Sequence, residues 1–138
     1  MACLLIDYEN ESGRMLEGIS FLGLREDDEI IFFYSLNASR ITMELHRELE
    51  KIKAKKIYIK TETGTPNSLD FQLSSYLGAC IQKYPQKKYY IVSEDHGYDC
   101  VCHFWKNKNI WITRIDRLCY YTDINHNVSE QRKRTEVL

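Results

Sequence analysis

Four aspartates stand at positions where a metal-binding or catalytic acid is expected: Asp7, Asp70, Asp95 and Asp99. Carboxylates that are gathered in one place repel one another unless a cation lies between them. Ligand sets made of oxygen atoms alone favour a hard ion such as Mg²⁺ or Mn²⁺. Such an ion polarises a phosphodiester, activates a water molecule and stabilises the leaving oxygen. If the fold gathers these four side chains, the chemistry they favour is metal-assisted hydrolysis.

Each aspartate also has a structural interpretation, which stays open when the residue is taken singly. Asp7 follows a strand-like segment and is able to cap a helix. Asp70 lies three residues after Asn67, as in a capping box. Asp95 suits a glycine-containing turn, and Asp99 suits the first turn of a helix. Their joint placement at one edge of one sheet is what favours a metal site.

The elements that must position these acids are predicted from the hydrophobic pattern. Short apolar, β-branched or aromatic runs predict strands at residues 2–6, 29–34, 56–59, 88–92 and, more weakly, 110–112. Apolar residues at helical spacing fill the gaps, in four groups: Met15, Leu16, Ile19, Phe21 and Leu22; Ile41, Leu45, Leu49 and Ile52; Leu69, Leu73, Tyr76, Leu77 and Cys80; Val101, Phe104 and Trp105. This alternation predicts an α/β fold, a three-layer Rossmann-like sandwich with a central parallel sheet of about five strands.

The carboxyl ends of those strands are where a ligand is expected. In an open parallel sheet, ligands bind beyond these ends, near the point where the strand order reverses. Asp7 follows the first strand, and Asp95 and Asp99 follow the fourth, which we expect to be its neighbour. The loop after the third strand leads to Asp70. The predicted topology therefore brings all four acids to one cleft.

Length and composition limit the number of domains, the partners and the cellular compartment that we expect. The 138 residues suit one domain over residues 1–120 and a polar tail over residues 121–138. A net charge of −1 neither favours nor excludes a nucleic-acid partner. The sequence has no apolar run of the roughly 18–20 residues that cross a bilayer and no basic leader, and its five scattered cysteines suit a reducing compartment. We therefore expect a cytoplasmic protein without a membrane partner. A homodimer is left open.

Three segments resemble, in order and spacing, the acidic motifs of PIN-like domains: residues 4–10, 68–73 and 91–99. The similarity is closest to the NYN-type and related bacterial branch, and it covers about residues 2–115. The third segment, a Ser-x-Asp-x-Gly-aromatic-Asp pattern after a strand, is its most specific part. What the resemblance implies is a Mg²⁺- or Mn²⁺-dependent ribonuclease.

The resemblance also implies roles for individual residues. Asp7, Asp70, Asp95 and Asp99 match the metal-binding acids, and two residues match supporting positions beside them, Asn10 and Ser93. Many PIN-like proteins carry a further acid on the second helix. The sequence offers Glu44 and Glu48 in that region, but neither lies in a motif, and both are left out of the predicted site.

Other functions of related folds fit this sequence less well. It has no glycine-rich phosphate loop of the P-loop or dinucleotide type, which argues against a nucleotide-binding enzyme. Its third predicted strand does not end in the aspartate that a response-regulator receiver needs. The main hypothesis is hydrolysis of single-stranded RNA with water as the nucleophile. The alternative is a catalytically inactive PIN-like module that binds RNA or another protein.

Overall fold

The computed structural model describes residues 1–9, 13–62, 65 and 67–121. Its strands and helices are β1 (Ala2–Tyr8), β2 (Glu29–Tyr34), α1 (Met43–Glu50), β3 (Lys55–Lys60), α2 (Ser68–Lys83), β4 (Lys88–Val92), α3 (Tyr98–Lys106) and β5 (Ile112–Ile115). The five strands form one parallel sheet in the order β3-β2-β1-β4-β5. The predicted α/β sandwich is confirmed, as is the prediction that the first and fourth strands are adjacent in the sheet. Apart from Tyr121, the predicted tail lies outside the described residues.

Strand β1 is the centre of the sheet and is buried along its whole length. Because side chains alternate along a strand, Leu4, Ile6 and Tyr8 pack into the core on one face of the sheet. Cys3 and Leu5 pack on the other face, together with apolar residues of α2 and α3. Asp7 shares this second face by alternation. The sequence of β1 therefore aims one carboxylate at the two helices that follow β3 and β4.

The segment after β1 differs from its prediction. The apolar stripe there predicted a helix, but the chain forms two short 3₁₀ turns, Arg14–Leu16 and Ile19–Phe21. Gly18 lies between them with a left-handed φ of 77°, a conformation that interrupts a right-handed helix. Leu16 and Ile19 reach the core, whereas Phe21 is 88% exposed. The apolar spacing thus identified two core residues but not the backbone between them.

Strand β5 begins later than predicted. Residues 110–112 were the expected strand, and the observed one is Ile112–Ile115. Asn109 adopts a left-handed φ of 64°, which turns the chain before the strand begins. The shift places Arg114 in the strand, beside the end of β4. Among the described residues, no helix is long and apolar enough to cross a membrane.

Candidate metal centre

Three acids meet at the carboxyl ends of β1 and the start of α2. One carboxylate oxygen from each of Asp7, Glu9 and Asp70 lies within 4.8 Å of the other two. Asp7 is in β1 and is 1% exposed, Asp70 is in the first turn of α2, and Glu9 comes just after β1. Residues two apart in extended chain point the same way, so Glu9 joins Asp7 on the side of α2.

Asp7 accepts a hydrogen bond from Ser93 and has one buried oxygen without a hydrogen-bond partner among the described residues. The Ser93 hydroxyl donates to Oδ2 of Asp7 at 3.0 Å. Oδ1 of Asp7 is buried and has no hydrogen-bond partner among the described residues. Burial raises the pKa of Asp7 to about 7, with a further rise from neighbouring Glu9 and an opposing effect of the Ser93 hydrogen bond. A buried carboxylate oxygen without a partner is costly, and a cation is a partner that removes the cost.

Asp70 is positioned by a tyrosine from the next helix. The Tyr98 hydroxyl donates to Oδ1 of Asp70 at 2.9 Å, and Tyr98 itself is 2% exposed. Burial raises the pKa of Asp70; the Tyr98 hydrogen bond opposes the rise and Asp95 adds to it. The capping-box interpretation is wrong here, because Asn67 is left-handed and its side chain makes no cap hydrogen bond.

Asp95 has both a turn role and a place beside the cluster. Its Oδ1 accepts a 2.8 Å hydrogen bond from the Gly97 N–H, and its own N–H donates to the Ser93 hydroxyl at 3.1 Å. Burial raises the pKa of Glu9, and the charges of Asp70 and then Asp95 raise it further; Asp95 also raises the pKa of Asp70. A Cβ atom at Gly97 would lie 3.0 Å from Oδ1 of Asp95. The glycine therefore leaves room for this carboxylate to fold back onto the turn.

Asp99 does not join the three clustered acids. Its carboxylate accepts a 2.8 Å hydrogen bond from Arg114 Nε and lies 3.1 Å from His96 Nδ1. These contacts, Arg114 first, lower the pKa of Asp99. Arg114 also donates to the Ser93 carbonyl at 2.9 Å and pairs with Asp116. The arginine of β5 thus draws Asp99 to the edge of the site, and its role as a metal ligand stays a prediction.

A cleft of about 340 Å³ opens beside the acids. It is lined by Asp7, Glu9, Arg14, Met15, Ser93, Glu94 and Asp95. Arg14 is the one basic side chain among the described residues of that lining. The predicted supporting residue Ser93 lies here, whereas Asn10, the other one, is outside the described residues.

Glu9 was not among the site residues predicted from the sequence. The strand was predicted to end at residue 6, and its observed end at Tyr8 is what carries Glu9 to the side of Asp7. An Asp-x-Glu pair at the end of a buried strand was the available signal.

The comparisons with known proteins agree with this architecture. A family model described as PIN domain matches residues 1–115. The chain therefore belongs to the PIN domain family, whose members are typically nucleases that use divalent metals and act on nucleic acid. No curated protein matches the chain. The family is thus confirmed, and its NYN-type branch stays a prediction.

The donor set fits a divalent ion. Each of the three clustered side chains offers oxygen, as Mg²⁺ and Mn²⁺ prefer, and Asp7 has a buried oxygen, Oδ1, that lacks a partner among the described residues. Both the Ser93 and the Tyr98 hydroxyl hold an acid of the cluster from behind. Such outer contacts are a regular feature of metal sites, because they fix the direction of the ligand atoms.

Proposed function

We propose that this PIN domain is a Mg²⁺- or Mn²⁺-dependent ribonuclease that hydrolyses phosphodiester bonds in single-stranded RNA. The observation that carries the proposal is the buried Asp7, which has one unpartnered oxygen among the described residues and belongs to an oxygen-only cluster with Glu9 and Asp70. These three side chains would hold the ion. Asp95 lines the same cleft as Asp7 and Glu9 and interacts with Asp70.

The residues in and beside the cleft have different roles in the proposed reaction. A bound divalent ion supplies Lewis-acid activation of the phosphodiester and lowers the pKa of a bound water. Glu9 and Asp95 are the more exposed acids; both would orient the attacking water, and Asp95 would accept its proton. Arg14 offers a positive charge to the phosphate group. Ser93 and Tyr98 donate hydrogen bonds to Asp7 and Asp70, respectively, and keep these acids in place.

A cleavage assay on the full chain tests the proposal. We expect a labelled single-stranded RNA to be cut in Mn²⁺ and left intact in EDTA. Asp70→Asn should lower the rate by at least about 100-fold, since it removes a ligand of the ion. Asp116→Asn is the matched control, because Asp116 is an exposed acid that pairs with Arg114 outside the cluster. RNA that is bound but not cut by the wild-type chain would favour the inactive binding module instead.

A further inference from the structure

A second pocket lies on the other face of the sheet from the acid cluster. Its volume is about 210 Å³, and its walls include four aromatic side chains, Tyr8, Phe32, Tyr34 and Tyr58. Ile41 and Leu49 close it from the side of α1. None of the described residues that line it is charged. It is smaller than the roughly 300–1,000 Å³ typical of pockets for drug-sized ligands, and its size suits one planar ring system.

The aromatic wall presents a flat surface to solvent. The rings of Phe32 and Tyr58 are stacked, with centroids 5.1 Å apart and planes 10° apart. Phe32 is buried at 5% exposure, whereas Tyr58 on the edge strand β3 is 54% exposed. Exposed aromatic rings of this kind are surfaces on which nucleobases stack.

The pocket and the acid cluster share one strand end. Tyr8 lines the pocket and directly follows Asp7, and neighbouring residues of a strand point to opposite faces. The two sites therefore lie on the two sides of the carboxyl end of β1. A single strand of nucleic acid that crosses this end meets both.

The charges beside the pocket suit a phosphate backbone. Arg40 is exposed and lies between two lining residues, Ser39 and Ile41. Lys60 is exposed too, and it stands two residues after Tyr58, on the same side of β3 by alternation. An uncharged aromatic pocket with basic residues beside it is the combination expected for single-stranded nucleic acid.

We propose that this pocket binds one nucleobase of the single-stranded RNA whose backbone lies across the acid cluster, with Tyr58 as its stacking surface. The inference rests on the proposed function in that the strand is taken to be the substrate RNA. It adds a specificity site to the cleavage site. The nucleotide in the pocket sets where along the strand the scissile phosphate falls.

Binding of a labelled single-stranded RNA, followed by fluorescence anisotropy, tests the pocket. The parent protein is the full chain with Asp95→Asn in Mn²⁺, and a gel of the recovered RNA verifies that it stays intact. Tyr58→Leu keeps apolar volume but removes the ring, and it should weaken binding by about 5- to 100-fold. Tyr58→Phe keeps the ring and should bind as the parent does. Phe104→Leu is the matched control, since Phe104 is 53% exposed on α3, across the sheet.

A second series leaves the protein unchanged and alters the RNA. Each RNA carries a single abasic nucleotide at a different position. An abasic nucleotide at one position should weaken binding to the parent protein. An abasic nucleotide at that same position should cause no further loss of affinity in Tyr58→Leu. Two results would overturn the proposal: equal affinity of the parent protein for every abasic RNA, or an affinity of Tyr58→Leu for intact RNA equal to that of the parent. The first result does not depend on the stability of Tyr58→Leu.

The two proposals fail in different ways. RNA that is held through Tyr58 yet never cut by the wild-type chain contradicts the ribonuclease and supports the pocket. RNA that is cut with equal KM by the wild-type chain and by Tyr58→Leu contradicts the pocket and supports the ribonuclease.

Discussion

The Ser93 hydroxyl donates a 3.0 Å hydrogen bond to Oδ2 of Asp7, across the boundary between strands β4 and β1. The same hydroxyl accepts the N–H of Asp95, and the Ser93 carbonyl accepts from Arg114. One serine therefore joins the buried acid of the central strand to the loop that carries Asp95 and to strand β5. Ser93 is therefore placed to orient the acids that would hold an ion, and not to bind the ion itself.

Replacing Ser93 by alanine should weaken metal binding without unfolding the protein. The loss of its hydrogen bond frees Asp7 to turn away from Glu9 and Asp70, and changes in such outer contacts typically cost about 10- to 100-fold in metal affinity. Calorimetric titration with Mn²⁺ measures this loss. Ser75→Ala, an exposed serine on α2, is the control and should bind Mn²⁺ as the wild type does. Equal affinities for the two variants would contradict the role given to Ser93.

Tyr98→Phe removes only the hydroxyl group, which donates a hydrogen bond to Asp70. We expect an affinity for Mn²⁺ about 10-fold lower, because Asp70 loses its fixed orientation. The ring remains in the core between α3 and the sheet, so the cost in the free energy of unfolding should stay near 1 kcal/mol. Titration and thermal unfolding of the same preparation separate the two effects. A variant that loses stability but binds Mn²⁺ normally would show that Tyr98 only packs.

The asparagine variants at Asp70 and Asp99 distinguish the clustered acids from the one that pairs with Arg114. Asp70→Asn should abolish the rise in melting temperature that Mn²⁺ gives the wild type, a rise equivalent to about 2.7 kcal/mol at 100 times Kd. Asp99→Asn should keep that rise, because its carboxylate is bound by Arg114 and His96. The sequence motif predicts the opposite for Asp99. Loss of the Mn²⁺ effect in Asp99→Asn would therefore restore Asp99 as a metal ligand.

The metal-free protein should change stability with pH through Asp7. The pKa of Asp7 is raised to about 7 in the fold, from an ordinary value of 3.8. Its stabilising contribution is therefore complete below pH 3.8 and is lost as the pH rises towards 7, where the buried carboxylate ionises. Asp7→Asn avoids that loss and should be about 2–4 kcal/mol more stable than the wild type at pH 7.5 in EDTA.

Thermal unfolding in EDTA between pH 4 and pH 7.5 measures this difference. The gap between Asp7→Asn and the wild type should widen as the pH rises. Adding Mn²⁺ should reverse the order at pH 7.5, since only the wild type gains a bound ion. A gap that stays constant with pH would contradict the burial of an ionising Asp7.

Much of this architecture was accessible from the sequence, for physical reasons. Residues 29–34 and 88–92 are strands at the predicted bounds because each is a short, β-branched and aromatic run that suits a sheet buried on both faces. The placement of Asp7 and Asp70 at one edge followed from the rule that ligands bind at the carboxyl ends of parallel strands.

What the sequence did not reveal depends on contacts between distant residues. Asp99 has the motif spacing of a ligand, yet it pairs with Arg114 in β5, a contact that the motif itself does not contain. The extension of β1 to Tyr8, which brings in Glu9, likewise depends on its pairing with Tyr34. A pattern along the chain indicates which strand, helix or loop carries an acid. The tertiary contacts of its carboxylate decide whether that acid joins the cluster.

The three clustered acids come from segments that are made far apart in time as well as in sequence. Asp7 and Glu9 are synthesised before Asp70, and Ser93, which donates a hydrogen bond to Asp7, comes later still. While the chain is being synthesised, the hydrogen bond that orients Asp7 therefore cannot form until β4 has docked against β1. The cleavage activity proposed above would therefore depend on the assembly of strands from both ends of the described chain.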